Sequence, residues 1–110
     1  MEAQRERRLF VQYPVVFLGS QGVGAGRLVN LSMSGGAIES GTVVQRGTVL
    51  TLRVHPPYLP QPIAVDQAEV TWTAGEDFGV RFLSLGTRDE VRLSQLIAGL
   101  QQDTQGTEAA

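Results

Sequence analysis

Two clusters of residues in this chain have the types and spacing to do chemistry. At the N-terminus, Arg5, Arg7 and Arg8 lead into "YPVVFL", which reads as a β-strand, with Gln12 at the junction. A guanidinium group is planar, permanently charged and forked, so it grips phosphate in a bidentate manner and stacks on flat rings. The second cluster is "NLSMSGGA", residues 30–37. In an extended strand of period two, Asn30 and Ser32 project to one face while Val29 and Leu31 project to the other. Gly35 and Gly36 follow, and paired glycines permit positive φ and let a flat ligand approach the main chain without a Cβ in the way. Asn and Ser beside Gly-Gly also make an ordinary turn. Spacing alone leaves both readings open.

Other candidates are weaker. "GSQGVGAG" lacks the lysine and Ser/Thr of a phosphate-binding P-loop, and Arg27 stands where a dinucleotide fingerprint needs its third glycine. It also lies between two strands with no helix following, so a hairpin connection is the better reading. "HPPYLPQP" can imitate a polyproline ligand, but reads more simply as a stiff connection between the fourth and fifth strands. His55 is the single histidine and cysteine is absent, so no recognisable metal cluster or nucleophile–base pair can be assembled, and neither an enzyme nor a metal site is expected. Asn30-Leu31-Ser32 matches a glycosylation sequon that has little meaning without a secretion signal.

The elements that must position these residues are short. A chain of 110 residues, 42% hydrophobic and 18% charged, suits one domain with one core. From Tyr13 to about Leu83, six β-rich runs alternate with turn signals: "YPVVFL", "GRLVNLS", "GAIES", "GTVLTLRV", "IAVDQAEVTW" and "FGVRFL". They predict a small, mainly antiparallel β-barrel, because closure removes exposed strand edges. In "LGTRDEVRLSQLIAGLQQ" the period changes: Leu93, Leu96, Ile97 and Leu100 make one apolar stripe of a helix of about four turns. Thr87 and Glu90 have the form of a capping box, with Asp89 and Glu90 in the first turn. The stripe can pack on the barrel or serve a partner. The tail "DTQGTEAA" is small and polar and is expected to be disordered.

The nine cations are all arginine and the formal net charge is −2, which argues against bulk binding to DNA or RNA. Neither a signal sequence nor an apolar run long enough to span a bilayer is present, so a cytoplasmic protein without membrane insertion is expected.

Taken together, "NLSMSGGA" resembles the D/N-x-S-x-x-G signature of PilZ domains, here Asn30, Ser32 and Gly35 extended by Gly36. The order of parts is also similar over about residues 5–100: an arginine-rich arm, a first strand, the signature strand, "AEVTWTAGEDFGVRF" as the penultimate hairpin, then a helix. What the resemblance implies is a six-stranded bacterial barrel, with Trp72 and Phe82 in its core, that is a receptor for cyclic di-GMP. It implies an R-x-x-x-R motif before the first strand, one arginine stacking on guanine and the pair gripping the phosphates. It also implies contacts from the signature residues to the other side of a guanine. On that basis the expected ligand-binding residues are Arg7, Arg8, Gln12, Asn30, Ser32, Gly35 and Gly36, with no cofactor beyond the ligand itself. The domain boundaries expected are a flexible arm over residues 1–12, barrel and helix over 13–101, and the tail over 102–110.

The arm departs from the family pattern. If Tyr13 begins the strand, the motif reads Arg8-x-x-x-Gln12; in the other register it reads Gln4-x-x-x-Arg8, and one cation is missing either way. Arg5 or Arg7 can substitute. Exchanging a charged hydrogen bond worth ~1.5–3 kcal/mol for a neutral one of ~1 weakens binding roughly three- to thirtyfold. The expectation is a single-domain receptor that passes its signal to an unidentified effector protein by contact. The alternative is a degenerate adaptor of the same fold that binds protein partners without nucleotide.

Overall fold

The computed structural model describes the backbone of residues 8–109 and the side chains of residues 8–101. Six strands, β1 (Leu9–Gly19), β2 (Gly22–Leu31), β3 (Gly35–Ser40), β4 (Val49–Val54), β5 (Ile63–Ala74) and β6 (Asp77–Ser84), precede one helix, α1 (Thr87–Ala109). All neighbouring strands are antiparallel and the sheet closes in the order β1-β2-β3-β6-β5-β4, with β1 completing the ring against β4. The sequence thus anticipates the architecture, while several boundaries move. β1 begins at Leu9 rather than Tyr13. The glycine-rich stretch is a hairpin, but its turn is confined to Ser20 and Gln21, and residues 22–26 are strand.

Alternation builds the core. Along β1, Leu9, Val11, Tyr13, Val15 and Phe17 point inward while the residues between them are exposed. Phe17 meets Phe78 of β6 edge to face, ring centroids 5.3 Å apart, in the middle of the barrel. Each such buried side chain contributes about 1.5–3 kcal/mol.

The segment between β4 and β5 is the stiff connection its prolines predict, and it is pinned at several points. The His55 amide donates to the Pro14 carbonyl (2.8 Å), and the Tyr13 and Tyr58 hydroxyls share a hydrogen bond of 2.9 Å. Arg92 of α1 donates to the carbonyls of Pro62 (2.8 Å) and Gln61 (2.5 Å). Leu93, Leu96 and Ile97 are buried, so the apolar stripe of α1 packs on the barrel.

Two features of α1 differ from expectation. Its first intrahelical bond runs from the Glu90 amide to the Gly86 carbonyl, which makes Gly86 the cap; the Thr87–Glu90 capping box is not among the hydrogen bonds of the described residues. The helix also continues to Ala109, through residues whose polar composition predicts a disordered tail. Among the described residues no helix is long and apolar enough to cross a membrane.

Candidate functional site

The register of the β1–β2 pair brings the two chemical clusters together. Phe10 lies opposite Asn30, and Arg8, just before β1, reaches across so that its Nη1 donates to Asn30 Oδ1 at 3.0 Å. The contact links residues 22 apart in sequence and lies on the exposed outer surface of the barrel. Arg7, with Arg5 and Gln4, lies outside the described residues.

The same row continues across the sheet. Phe10, Asn30, Ala37, Gly79 and Trp72 are successive register partners on β1, β2, β3, β6 and β5. Ile38, Phe78 and Val80 face the core, so Ala37 and Gly79, which alternate with them, face outward. Trp72 is not in the core as expected; it is 43% exposed. The pairing of β5 with β6 shifts register between Val70 and Trp72, which turns the indole to the outer face, where it lies over Gly79. A Cβ at position 79 would clash with the Trp72 indole at Nε1 and Cε2. Phe82 is partly buried and packs against the core. The outer face therefore has Arg8, Phe10 and Asn30 at one side and the Trp72 indole at the other, with Ala37, only 6% exposed, between them. Adjacent strands lie about 4.8 Å apart, so the Asn30 and Trp72 backbones are separated by roughly 14 Å. The motif reading placed Trp72 inside; the clue available in the sequence was Gly79, a residue without a side chain in a strand that otherwise packs tightly.

The signature residues after Asn30 are placed differently from what period two implies. β2 ends at Leu31, and Val29 has no partner on β3 because the register shifts between Leu28 and Asn30. Ser32 thus leaves the strand alternation and is only 2% exposed. Its Oγ accepts the Ser34 amide (3.2 Å) and donates to the Gly35 carbonyl (3.4 Å), while the Ser32 amide donates to the same carbonyl at 2.8 Å. Ser32 therefore ties a tight turn together rather than sharing an open surface with Asn30.

Gly35 and Gly36 do not adopt positive φ. They are buried at the start of β3, where a Cβ would strike the Val80 carbonyl oxygen at position 35 and the Asn30 carbonyl oxygen at position 36. Close strand approach, rather than a positive-φ turn, is what requires glycine at both positions. The strand order makes this crowding useful: it brings β3 tightly against β2 and β6, and so holds Asn30 next to Ala37.

Gln12 is exposed and lies within β1, at the register shift between Phe10 and Tyr13, rather than ahead of the strand. It shares a shallow recess with Pro14, Gly26 and the Arg27–Glu39 ion pair, whose Nη2 to Oε1 distance is 3.3 Å. Arg8 and Gln12 project on the same outer face, about 13 Å apart along the strand, with the 91% exposed Phe10 between them. On the opposite flank, Arg81 is bound to Glu69 at 2.8 Å and pairs in register with Gly35. The geometry thus assembles Arg8 with Asn30 and sets Gln12 apart.

The chain matches the family model described as PilZ domain over residues 2–99. No match is found among curated protein sequences. Solved structures with the same fold include Escherichia coli YcgR in complex with c-di-GMP, at TM-score 0.77 and 18% identity, covering 96% of this chain and 49% of that one. The PilZ domain of the same YcgR with c-di-GMP aligns at TM-score 0.71 and 15% identity, covering 98% of each chain. The PilZ domain of CeSA from a cellulose-synthesizing bacterium aligns at 0.67 and 17%, covering 86% of this chain and 98% of that one. The chain spans about half the length of the longer YcgR structure.

Proposed function

Because this chain belongs to the PilZ domain family, we propose that it is a receptor for cyclic di-GMP that acts by contact with another protein and not by catalysis. What supports this reading is the 3.0 Å contact of Arg8 with Asn30, which brings one arginine of the N-terminal cluster and the signature strand onto one outer face. The ligand carries two phosphate charges and two planar bases. Arg8 offers charged hydrogen bonds and a stacking plane, Asn30 a donor and acceptor for a base edge, and the Trp72 indole a second flat wall. Arg7 belongs to the same proposed clamp, and Gln12 contributes a neutral donor at its far end. Ser32, Gly35 and Gly36 act one step back, by holding the turn and strand that present Asn30.

A second reading has its own support. Ser32, Gly35 and Gly36 are all accounted for by packing and internal hydrogen bonds, so the signature persists for structural reasons even in an adaptor that binds no nucleotide. Calorimetric titration separates the two. The receptor reading expects cyclic di-GMP to bind in preference to GMP and cyclic di-AMP, with a change in fluorescence of the single tryptophan. A flat titration at high micromolar ligand and low salt leaves the adaptor.

A further inference from the structure

Away from the Arg8–Asn30 face, the connection over residues 55–62 and the first turns of α1 border two recesses that share Arg92 as a common wall. One, about 260 Å³, is lined by Arg53, Arg88, Asp89 and Arg92 together with Gln61. The other, about 360 Å³, is lined mainly by Tyr58, Leu59, Leu96 and Leu100.

The charges in the first recess do not cancel. Arg92 is engaged by the Pro62 and Gln61 carbonyls and by Asp89 Oδ1 at 3.2 Å, and the same Oδ1 accepts the Ala64 amide. That pair is therefore neutral and structural. Arg88 has a long contact of 3.4 Å to the neutral Gln61 amide oxygen, and among the described residues no carboxylate pairs with Arg88 or Arg53. Arg53 is held by its strand, in register with Val16 and Ala64. Two uncompensated guanidinium groups thus stand at one recess of a chain whose net charge is −2. The second recess presents Tyr58, 62% exposed, with its hydroxyl held by Tyr13.

We propose that this bipartite groove is a docking site for an acidic segment of a partner protein. Its carboxylates would pair with Arg53 and Arg88, and a neighbouring large apolar side chain would enter between Tyr58 and Leu100. Charge complementarity selects the occupant. A polyanion such as nucleic acid is disfavoured because its affinity depends on many neutralised phosphates, whereas this recess offers two uncompensated arginines on a chain of net charge −2. A free small anion would leave the apolar recess unused. A fixed, partly exposed tyrosine next to arginines is also the composition that dominates binding energy at protein interfaces. None of these residues belongs to the Arg8–Asn30 face, so the proposal stands or falls apart from nucleotide binding.

The test is selection of a random dodecapeptide phage library on the full chain, followed by anisotropy titration of the enriched peptides. The expected peptides combine Asp or Glu with Leu, Ile or Phe. They should lose about tenfold or more in affinity for the Arg53→Glu/Arg88→Glu variant, several-fold for Tyr58→Ala, and weaken as salt is raised. Should the double charge reversal disturb folding, judged by its melting curve, Arg53→Gln and Arg88→Gln singly should each lose about threefold. Failure to enrich, enrichment of peptides without acidic residues, or equal binding to the charge variants overturns the proposal. So does tighter binding of a single-stranded oligonucleotide in the same assay.

Discussion

At the scale of single residues, Arg8 and Gln12 carry the functional reading. The Arg8 hydrogen bond to Asn30 is exposed, so its loss changes stability by no more than about 0.5 kcal/mol. Arg8→Ala is expected to weaken cyclic di-GMP binding at least about tenfold by calorimetry while leaving the melting temperature of the free protein nearly unchanged. Unaltered affinity would show that the arm is not the clamp. Gln12→Arg tests the missing cation. With Arg8 and position 12 on one face, an added guanidinium is expected to tighten binding by about tenfold and to steepen its salt dependence. Glu39 lines the same recess and sets the competing outcome: if the new arginine pairs with Glu39 instead, affinity stays put and the adaptor reading gains.

Among the elements, the β5–β6 hairpin decides the shape of the site. The register shift before Trp72 and the bare Gly79 opposite it allow the indole to pack over position 79. Gly79→Ala forces the indole off the strand. Because the displaced side chain is partly exposed, the stability cost should be near the low end of the ~1–3 kcal/mol typical of overpacking. The emission maximum of Trp72 should shift to the red, and cyclic di-GMP affinity should fall with it. An unshifted spectrum would mean that the indole is held by something other than its seat on Gly79. At Gly35 the obstruction is the Val80 carbonyl of a neighbouring strand rather than a movable side chain, so Gly35→Ala should cost more in thermal melts than Gly79→Ala.

On the scale of the whole molecule, barrel, connection and helix behave as one unit because Tyr13 and Arg92 tie them together. Burial, and then the hydrogen bond to Tyr58, push the Tyr13 phenol well above the ordinary tyrosine value of 10.0. The folded protein thus keeps Tyr13 neutral at pH values where the unfolded chain ionises it. This stabilisation is complete below pH 10 and drains away above it, at about 1.4 kcal/mol per pH unit. Denaturant unfolding at a series of pH values from 8 upward should therefore show stability falling above pH 10. Tyr13→Phe should be less stable by about 1 kcal/mol near neutrality and should show a shallower alkaline fall. Parallel pH profiles for the two proteins would rule out Tyr13 as the source.

Strand number, closure and the alternation of β1 are legible in the sequence because they arise from period two, turn residues and the need to bury one face, all of which are local. Leu93, Leu96 and Ile97 are legible as a helical stripe for the same reason, although only packing decides that the stripe covers the barrel instead of a partner. The candidate residues Arg8 and Asn30 are recognisable by type, yet their meeting depends on the β1–β2 register across 22 residues. Gln12 keeps the alternation of β1 and differs from expectation only in where the strand begins. Ser32 and Trp72 were beyond reach of a periodic reading because register shifts sit beside them: the shifts near Val29 and between Val70 and Trp72 change how side chains are presented. Such shifts are set by how a strand matches its neighbours, two at a time, and not by its own residues. Gly35 and Gly36 follow the same rule, since what makes them necessary is the Val80 and Asn30 backbone of adjacent strands, brought there only when the barrel closes.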